Sequence, residues 1–356
     1  MKVSEICKYA PKSNIKARDA CDGGKYVFFT SSADESKRYN AYQHEGEGII
    51  MGTGGNATLH YYDGKYAVST DCIVLLPNEQ IRCKYLYYFF LGNMRVLERG
   101  FKGAGLKHTN KGYIGDIDIG DIPSFERQEK IIGIFDTLQS IIDLRKSEIE
   151  RLDNLIKARF VEMFGDPVSN SRGLPEATLP ELGEFGRGVS KHRPRNDPKL
   201  LGGKYPLIQT GDVASSDLYI TSYTGTYSDL GLAQSKMWDE GTLCITIAAN
   251  IAKTAILGFD ACFPDSVVGF RANEKTNNIY IHYWFSFFQR ILEAQAPESA
   301  QKNINLKSLS ELRVIYPTKE EQDAFAAFVA EVDKSKLMFQ KLHKKLNILQ
   351  KKAGDI

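Results

Sequence analysis

The chain has 356 residues, 42% of them hydrophobic and 25% charged, with a formal net charge of +2. That composition is ordinary for a globular protein with length enough for two cores, and it excludes a fibrous or disordered chain. A charge so close to zero does not by itself indicate a nucleic-acid binder, so any positive surface has to be local.

The six cysteines, Cys7, Cys21, Cys72, Cys83, Cys244 and Cys262, form no CxxC pair. Neither a zinc site nor a disulfide framework is indicated, and they are expected as small buried hydrophobes in a reducing compartment. The opening Met1-Lys-Val-Ser-Glu has no apolar signal core, and no apolar run approaches membrane-spanning length. A cytoplasmic protein without a membrane partner is expected.

Residues 1–122 read as a first mixed α/β module with little leader, so its first element is expected to be minimal. Short strands are predicted at Val27-Phe-Phe-Thr, Gly48-Ile-Ile-Met, Thr58-Leu-His-Tyr-Tyr and Cys72-Ile-Val-Leu-Leu. Gly52-Thr-Gly-Gly-Asn56 reads as a turn between two of them. It lacks the Gly-Lys-Ser/Thr and the following helix that a phosphate loop needs. Residues 84–98 read as a helix whose Tyr and Phe side chains are core rather than a base-stacking surface. The loop Arg99-Gly-Phe-Lys-Gly-Ala-Gly-Leu-Lys-His-Thr-Asn-Lys111 is glycine-rich and basic. It reads equally well as a solvated loop or as backbone and lysines approaching a phosphate chain.

A long helix is predicted within 123–165. Ile131, Phe135, Leu138, Ile142, Ile149, Leu152 and Ile156 alternate in steps of four and three, with Arg145 taking one seam position. That is a coiled-coil seam. At 1.5 Å per residue the helix would be roughly 55–60 Å long, too long to stand without a partner. Ser124 is the expected N-cap, Asp153 and Lys157 form an i,i+4 pair, and Gly165-Asp-Pro167 ends the helix.

Residues 166–316 read as a connector, to about 188, and a second module. Its basic cluster, Arg187, Lys191, His192, Arg193, Arg195, Lys199 and Lys204, holds one acid, Asp197, and reads as a phosphate-contacting loop. Strands are predicted at 205–212, 241–247 and 254–258, and a helix at 280–294. A second long helix fills 317–356, opened by the capping box Thr318-x-x-Glu321. Phe325, Val329, Val332, Phe339, Leu342, Leu346 and Leu349 form its seam. Its lysine-rich end serves mainly the helix dipole and solubility.

The two halves repeat. Pro123 falls on Pro317 at an offset of 194 (317 − 123), and Glu126, Gln128, Asn56 and Asp71 fall on Glu320, Gln322, Asn250 and Asp265 at the same offset. Earlier, Lys25-Tyr26 falls on Lys204-Tyr205 at an offset of 179 (204 − 25), so the second copy carries a 15-residue insertion (194 − 179). The chain is an internal duplication of a variable module and a long helix. No adenine-methyltransferase motif, dinucleotide fingerprint or P-loop is present, and the six histidines lack metal-ligand spacing.

The Ile-Pro-x-x-x-x-Gln opening of the first long helix, its Tyr-Pro-x-x-x-x-Gln counterpart, the Met163-Phe-Gly-Asp-Pro167 exit and Gln301-x-Asn-Ile resemble the specificity subunit of type I restriction-modification systems. The resemblance covers essentially the whole chain. It implies two α/β target-recognition domains, held apart by an antiparallel coiled coil of the two long helices. Each domain would read one half-site of a bipartite target in double-stranded DNA. Catalysis would belong to partners: a methyltransferase subunit using S-adenosylmethionine and, in a complete system, an endonuclease subunit using ATP and Mg. No cofactor is expected on this chain. Candidate DNA contacts are Lys107, His108, Lys191, Arg193, Arg195, Gln301, Lys302 and Asn303, with Gln209, Asn56 and Asn250 weaker because an asparagine also caps turns. A coiled-coil adaptor that touches no DNA, and a self-sufficient restriction-type enzyme, are the competing readings. The first leaves the basic loops idle and the second lacks a cofactor motif.

Overall fold

A computed structural model describes residues 1–248, 251–295 and 304–353, with side chains except at 290, 292–295 and 338–353. Asn250, Gln301, Lys302 and Asn303 lie outside the described residues. Two compact units emerge, one of Met1–Glu148 with Met338–Ile356 and one of Ile149–Leu337.

In the first unit, Val3–Ile6 is a single helical turn leading into strand Cys7–Tyr9. A six-stranded sheet runs in the order Cys7–Tyr9, Cys72–Pro77, His44–Gly52, Leu59–Val68, Tyr26–Phe29, Arg38–Tyr39. The predicted strands are all present, and the glycine turn joins two of them. Their side chains alternate faces and both faces are covered. Ile49, Met51, Ile73 and Leu75 pack under the helices with Leu86, Phe90 and Leu97, while Ile50, Phe29, Tyr66 and Val74 pack opposite. The aromatic helix is interrupted: Cys83–Gly92 and Met94–Arg99 meet at Asn93. Its buried Tyr88 and Phe90 are core, as expected. Five of the cysteines are buried; Cys21 is only half-buried, its thiol facing the Arg38 carbonyl at 3.7 Å.

The second unit holds a five-stranded sheet, Tyr219–Ile220, Thr254–Leu257, Leu243–Thr246, Val267–Ala272, Gly183–Arg187, and a four-stranded one around Leu201–Leu207. The connector is shorter than expected, since Glu176–Ala177 already pairs with Val314–Ile315. The strand predicted at 205–212 ends at Leu207. The reason is local. The Asp212 carboxylate accepts from the Gln209 amide at 2.8 Å and from Thr224 Oγ1 at 3.0 Å, which closes the helical turn Thr210–Ala214.

The first long helix spans Phe125–Phe164, 40 residues or roughly 60 Å, and Ser124 opens it. Seam residues Phe135, Ile142 and Ile156 are buried, and Arg145 meets its seam position by pairing with Glu148 at 2.5 Å. Gly165, at φ 77°, ends the helix in a conformation that favours glycine. Arg172 then donates to the freed carbonyls of Met163 and Glu162, each at 2.7 Å.

The second long helix spans Lys319–Ala353. Within the second unit it runs antiparallel to the first. Phe325 packs on Phe160 and Phe164, and further along Lys336 Nζ donates to Asp153 at 2.7 Å. Asp153 therefore pairs across the helices, where the sequence suggested a local partner in Lys157.

The Pro-x-x-x-x-Gln repeat has the same structural job in both units. Gln128 Nε2 donates to the Pro123 carbonyl at 2.9 Å, and Gln322 Nε2 donates to the Pro317 carbonyl at 2.9 Å. Gln128 Oε1 accepts from the Arg82 amide at 2.7 Å, and Gln322 Oε1 from Thr276 Oγ1 at 2.7 Å and the Asn277 amide at 3.3 Å. Both glutamines are buried. Each ties the start of a long helix to the start of the aromatic helix in its own module. In the first unit, Asp136 reinforces this by accepting from Lys84 at 2.8 Å and Tyr88 at 2.5 Å.

Candidate nucleic-acid interface

In the first unit, two segments far apart in sequence form one loop cluster. The glycine turn 52–56 exchanges backbone bonds with the basic loop: the Gly55 amide donates to the Lys107 carbonyl at 2.9 Å, and Thr109 to Thr53 at 3.0 Å. Lys102 and His108 exchange both of their backbone bonds at 3.0 Å, closing the basic loop into a small hairpin. Ser31 clamps the turn from a third segment, donating to the Gly54 carbonyl at 2.6 Å and accepting from its amide at 3.0 Å. Gly55 has φ 81°, which a residue with a Cβ adopts only under strain. Asn56, Lys107 and His108 are thereby gathered on one surface, all exposed. The backbone is spoken for and the polar side chains are left to face solvent, as a reader of base edges or phosphates requires.

In the second unit the basic loop is less bare than its sequence. Arg193 and Arg195 both meet the carboxylate of Asp265, at 3.4 and 2.5 Å. Arg193 also donates to the carbonyls of Ser190 and His192 at 2.6 and 2.8 Å. Gln234 Oε1 accepts from the amides of Lys191 and His192 at 2.7 and 3.0 Å, which pins the loop's base. His192 faces Asp197 at 3.2 Å. The bond from the Lys199 amide, followed by that from His192, holds the Asp197 carboxyl below its ordinary range. The guanidinium groups are thus preoriented by one acid, which lies 72 residues from Arg193 in sequence. Gln209 is exposed at the start of helix Thr210–Ala214, its amide held by Asp212.

The repeat carries the pairing of segments into this unit. Ile304 donates its amide to the Ile247 carbonyl at 2.9 Å; Ile247 answers Thr53 of the first copy, and Ile304 stands one position past the one that answers Thr109. Asp71 and Asp265, equivalent by offset, both brace the site. The Asp71 carbonyl holds the Thr53 amide at 2.8 Å, and the Asp265 side chain holds two arginines. Sequence reasoning missed Ser31 and Gln234, which carry no motif. Asp265 was visible only as a landmark of the repeat.

Among the described residues no group of three or more His, Cys, Asp or Glu is placed to hold a metal ion, and no helix is long and apolar enough to cross a membrane.

A family model described as "Type I restriction modification DNA specificity domain" matches residues 1–154 and 176–350. The EcoDI type I restriction enzyme specificity subunit of Escherichia coli is 24% identical over 157 residues, 44% of this chain and 34% of that protein, so the match spans about a third of the relative's length. A MjaX specificity subunit of Methanocaldococcus jannaschii, described as that of a putative type I restriction enzyme, is 21% identical over 300 residues, covering 78% of this chain and 69% of the relative. The crystal structure of a type I restriction-modification S subunit from M. genitalium has the same fold, with a TM-score of 0.58 at 14% identity, covering 99% of this chain and 94% of that one. The chain belongs to the type I restriction-modification DNA specificity family, whose domain it carries twice.

Proposed function

We propose that this chain is the sequence-reading subunit of a type I restriction-modification complex. Each module reads one half-site of a bipartite DNA target, and the long helices set the distance between the two. The chain is non-catalytic. A methyltransferase subunit brings S-adenosylmethionine and methylates adenine, and an endonuclease subunit, where the system has one, brings ATP and Mg and cleaves. The complex works in the cytoplasm.

The observation that supports this best is the repeated pairing of segments. The glycine turn and basic loop meet in the first module, where Asn56, Lys107 and His108 are exposed, and a corresponding backbone bond, Ile304 to Ile247, forms in the second. Two similar readers in one chain suit a target of two half-sites, as two protomers of a dimer do. Lys107, His108 and Asn56 serve the first half-site, and Lys191, Arg193, Arg195 and Gln209 the second, together with Asn250, Gln301, Lys302 and Asn303.

The test is a methylome. The chain is expressed with the methyltransferase encoded beside it, in a host free of adenine methylation, and modified adenines are mapped by long-read sequencing. A bipartite motif with a fixed gap is expected. A complex that purifies intact yet methylates nothing would favour the adaptor reading instead.

A further inference from the structure

The seam of the second long helix holds a charge. Phe325, Val329 and Val332 are buried at alternating steps of four and three, and the next seam position is Lys336. This lysine is only 6% exposed. Its Nζ donates to Asp153 Oδ1, on the antiparallel first long helix, at 2.7 Å.

Two further carboxylates lie on neighbouring segments, and one of them, Asp217, lines the same cleft as Lys336. Asp333 lies one turn back on the same helix. Asp217 belongs to the recognition domain, between helix Thr210–Ala214 and strand Tyr219–Ile220. Burial alone would lower the Lys336 ammonium; the Asp153 hydrogen bond and the charges of Asp153, Asp217 and Asp333 outweigh it and hold the group above its ordinary value. Helices and domain meet here around a cleft of about 250 Å³ lined by Asp153, Asp217, Thr254, His282, Tyr283 and Lys336.

A lysine at a seam position costs stability that leucine or methionine would not, and its best-attested use is to select one register over others. Apolar contact is non-directional and tolerates small rotations of one surface on another, whereas a buried cation does not. One of the three acids that compensate Lys336 comes from the recognition domain, so the helix pair accommodates its own charge fully only when that domain is correctly seated.

We propose that Lys336 is a positioning residue that seats the second recognition domain on the helix pair in one orientation, through Asp217, and so sharpens the reading of one DNA half-site. This rests on the reading of the chain as a DNA-recognition subunit.

The test compares wild type, Lys336→Met and Asp217→Asn, each as the full chain with its methyltransferase, by methylome mapping. Lys336→Met keeps the volume and removes the charge; Asp217→Asn leaves Asp153 and Asp333 in place, so the lysine keeps two partners. Both variants are expected to modify the wild-type target and also sites mismatched in one half, about ten-fold more often than wild type, with the other half read as strictly as before. Hydrogen exchange at 213–218 in the isolated chain is expected to speed up in both. A variant that is merely less folded lowers methylation at all sites alike and leaves the ratio between halves unchanged. That outcome, or equal relaxation of both halves, or unchanged exchange at 213–218, overturns the proposal. A wild-type methylome without a bipartite motif overturns the functional reading on which it rests, and is read before either variant.

Discussion

Replacing Gln322 with alanine removes a side chain whose whole polar capacity is used inside the protein. The residue is fully buried. Its Nε2 donates to the carbonyls of Lys275 and Pro317, both at 2.9 Å, and its Oε1 accepts from Thr276 and Asn277 at 2.7 and 3.3 Å. The truncation leaves these groups without that partner, and Thr276 is itself buried. A buried polar group left unpaired costs about 1–3 kcal/mol. A water entering the vacated volume recovers part of this, because the site is polar and offers several partners. A net loss of about 3 kcal/mol results, which lowers the melting temperature of a unit of this size by roughly 6–12 °C. Gln128→Ala, with two such bonds in the first unit, should cost about half as much. Gln322→Glu keeps the shape but points an acceptor at two carbonyls, and should be at least as damaging as alanine. Thermal unfolding followed by circular dichroism, with all three variants beside wild type, measures this. A shift below about 3 °C for Gln322→Ala would refute the view that this glutamine locks helix to module.

Substituting Arg193 and Arg195 together by alanine should weaken DNA binding and lower the slope of log K against log salt by about 2, one phosphate contact for each. An unchanged slope in a salt titration removes both from the interface. Thr318→Ala breaks the capping box in which Thr318 and Glu321 bond reciprocally at 3.0–3.3 Å, at a cost of about 1 kcal/mol. Denaturant melts check this, and a change of m-value without a change of midpoint would count against it. His282 is held down to about 4, first by burial and then by the charge of Lys336. Between its ordinary value and pH 4 the unfolded chain therefore binds a proton that the folded chain refuses, so stability falls as pH drops through that window, by roughly 3 kcal/mol. Asp333, raised mainly by burial, acts in the opposite sense just above the ordinary carboxylate range, so the comparison has to be made against His282→Gln. That variant should flatten the pH dependence, and an identical slope in both proteins would refute the assignment.

How much was legible in the sequence depended on whether a feature is periodic or merely adjacent in space. Heptad steps, the glycine turn and the Pro-x-x-x-x-Gln repeat are local patterns, and the long helices, the turn and the duplication follow from them. The equivalence of Gln128 and Gln322 read from the repeat extends to their chemistry, since each makes the same bond to the proline five residues before it. The strand expected at 205–212 failed because one side chain, Asp212, offers the backbone a helical turn that β-propensity does not register. At the site, basic residue type was readable and bracing was not. Asp265 reaches Arg193 across 72 positions, and Lys336 reaches Asp153 across 183. A seam lysine looks like a defect in the pattern until its acids are placed.

The two copies show what duplication keeps and what it lets go. Bonds shared by both units run through backbone, as in Thr53 with Thr109 and Ile247 with Ile304, through one glutamine, Gln128 and Gln322 at the helix openings, and through short capping side chains such as Asn110 and Asn305. Backbone bonds survive almost any change of side chain, so the surface of each module is free to diverge. Where the copies differ is in the groups that brace the site. The first braces its turn with Ser31 and the Asp71 carbonyl, and the second holds paired arginines on the Asp265 carboxylate. A protein that needed two identical surfaces would gain nothing from that divergence. A protein that must read two different half-sites requires it, because discrimination between bases resides in side chains and their rotamers while the scaffold only presents them.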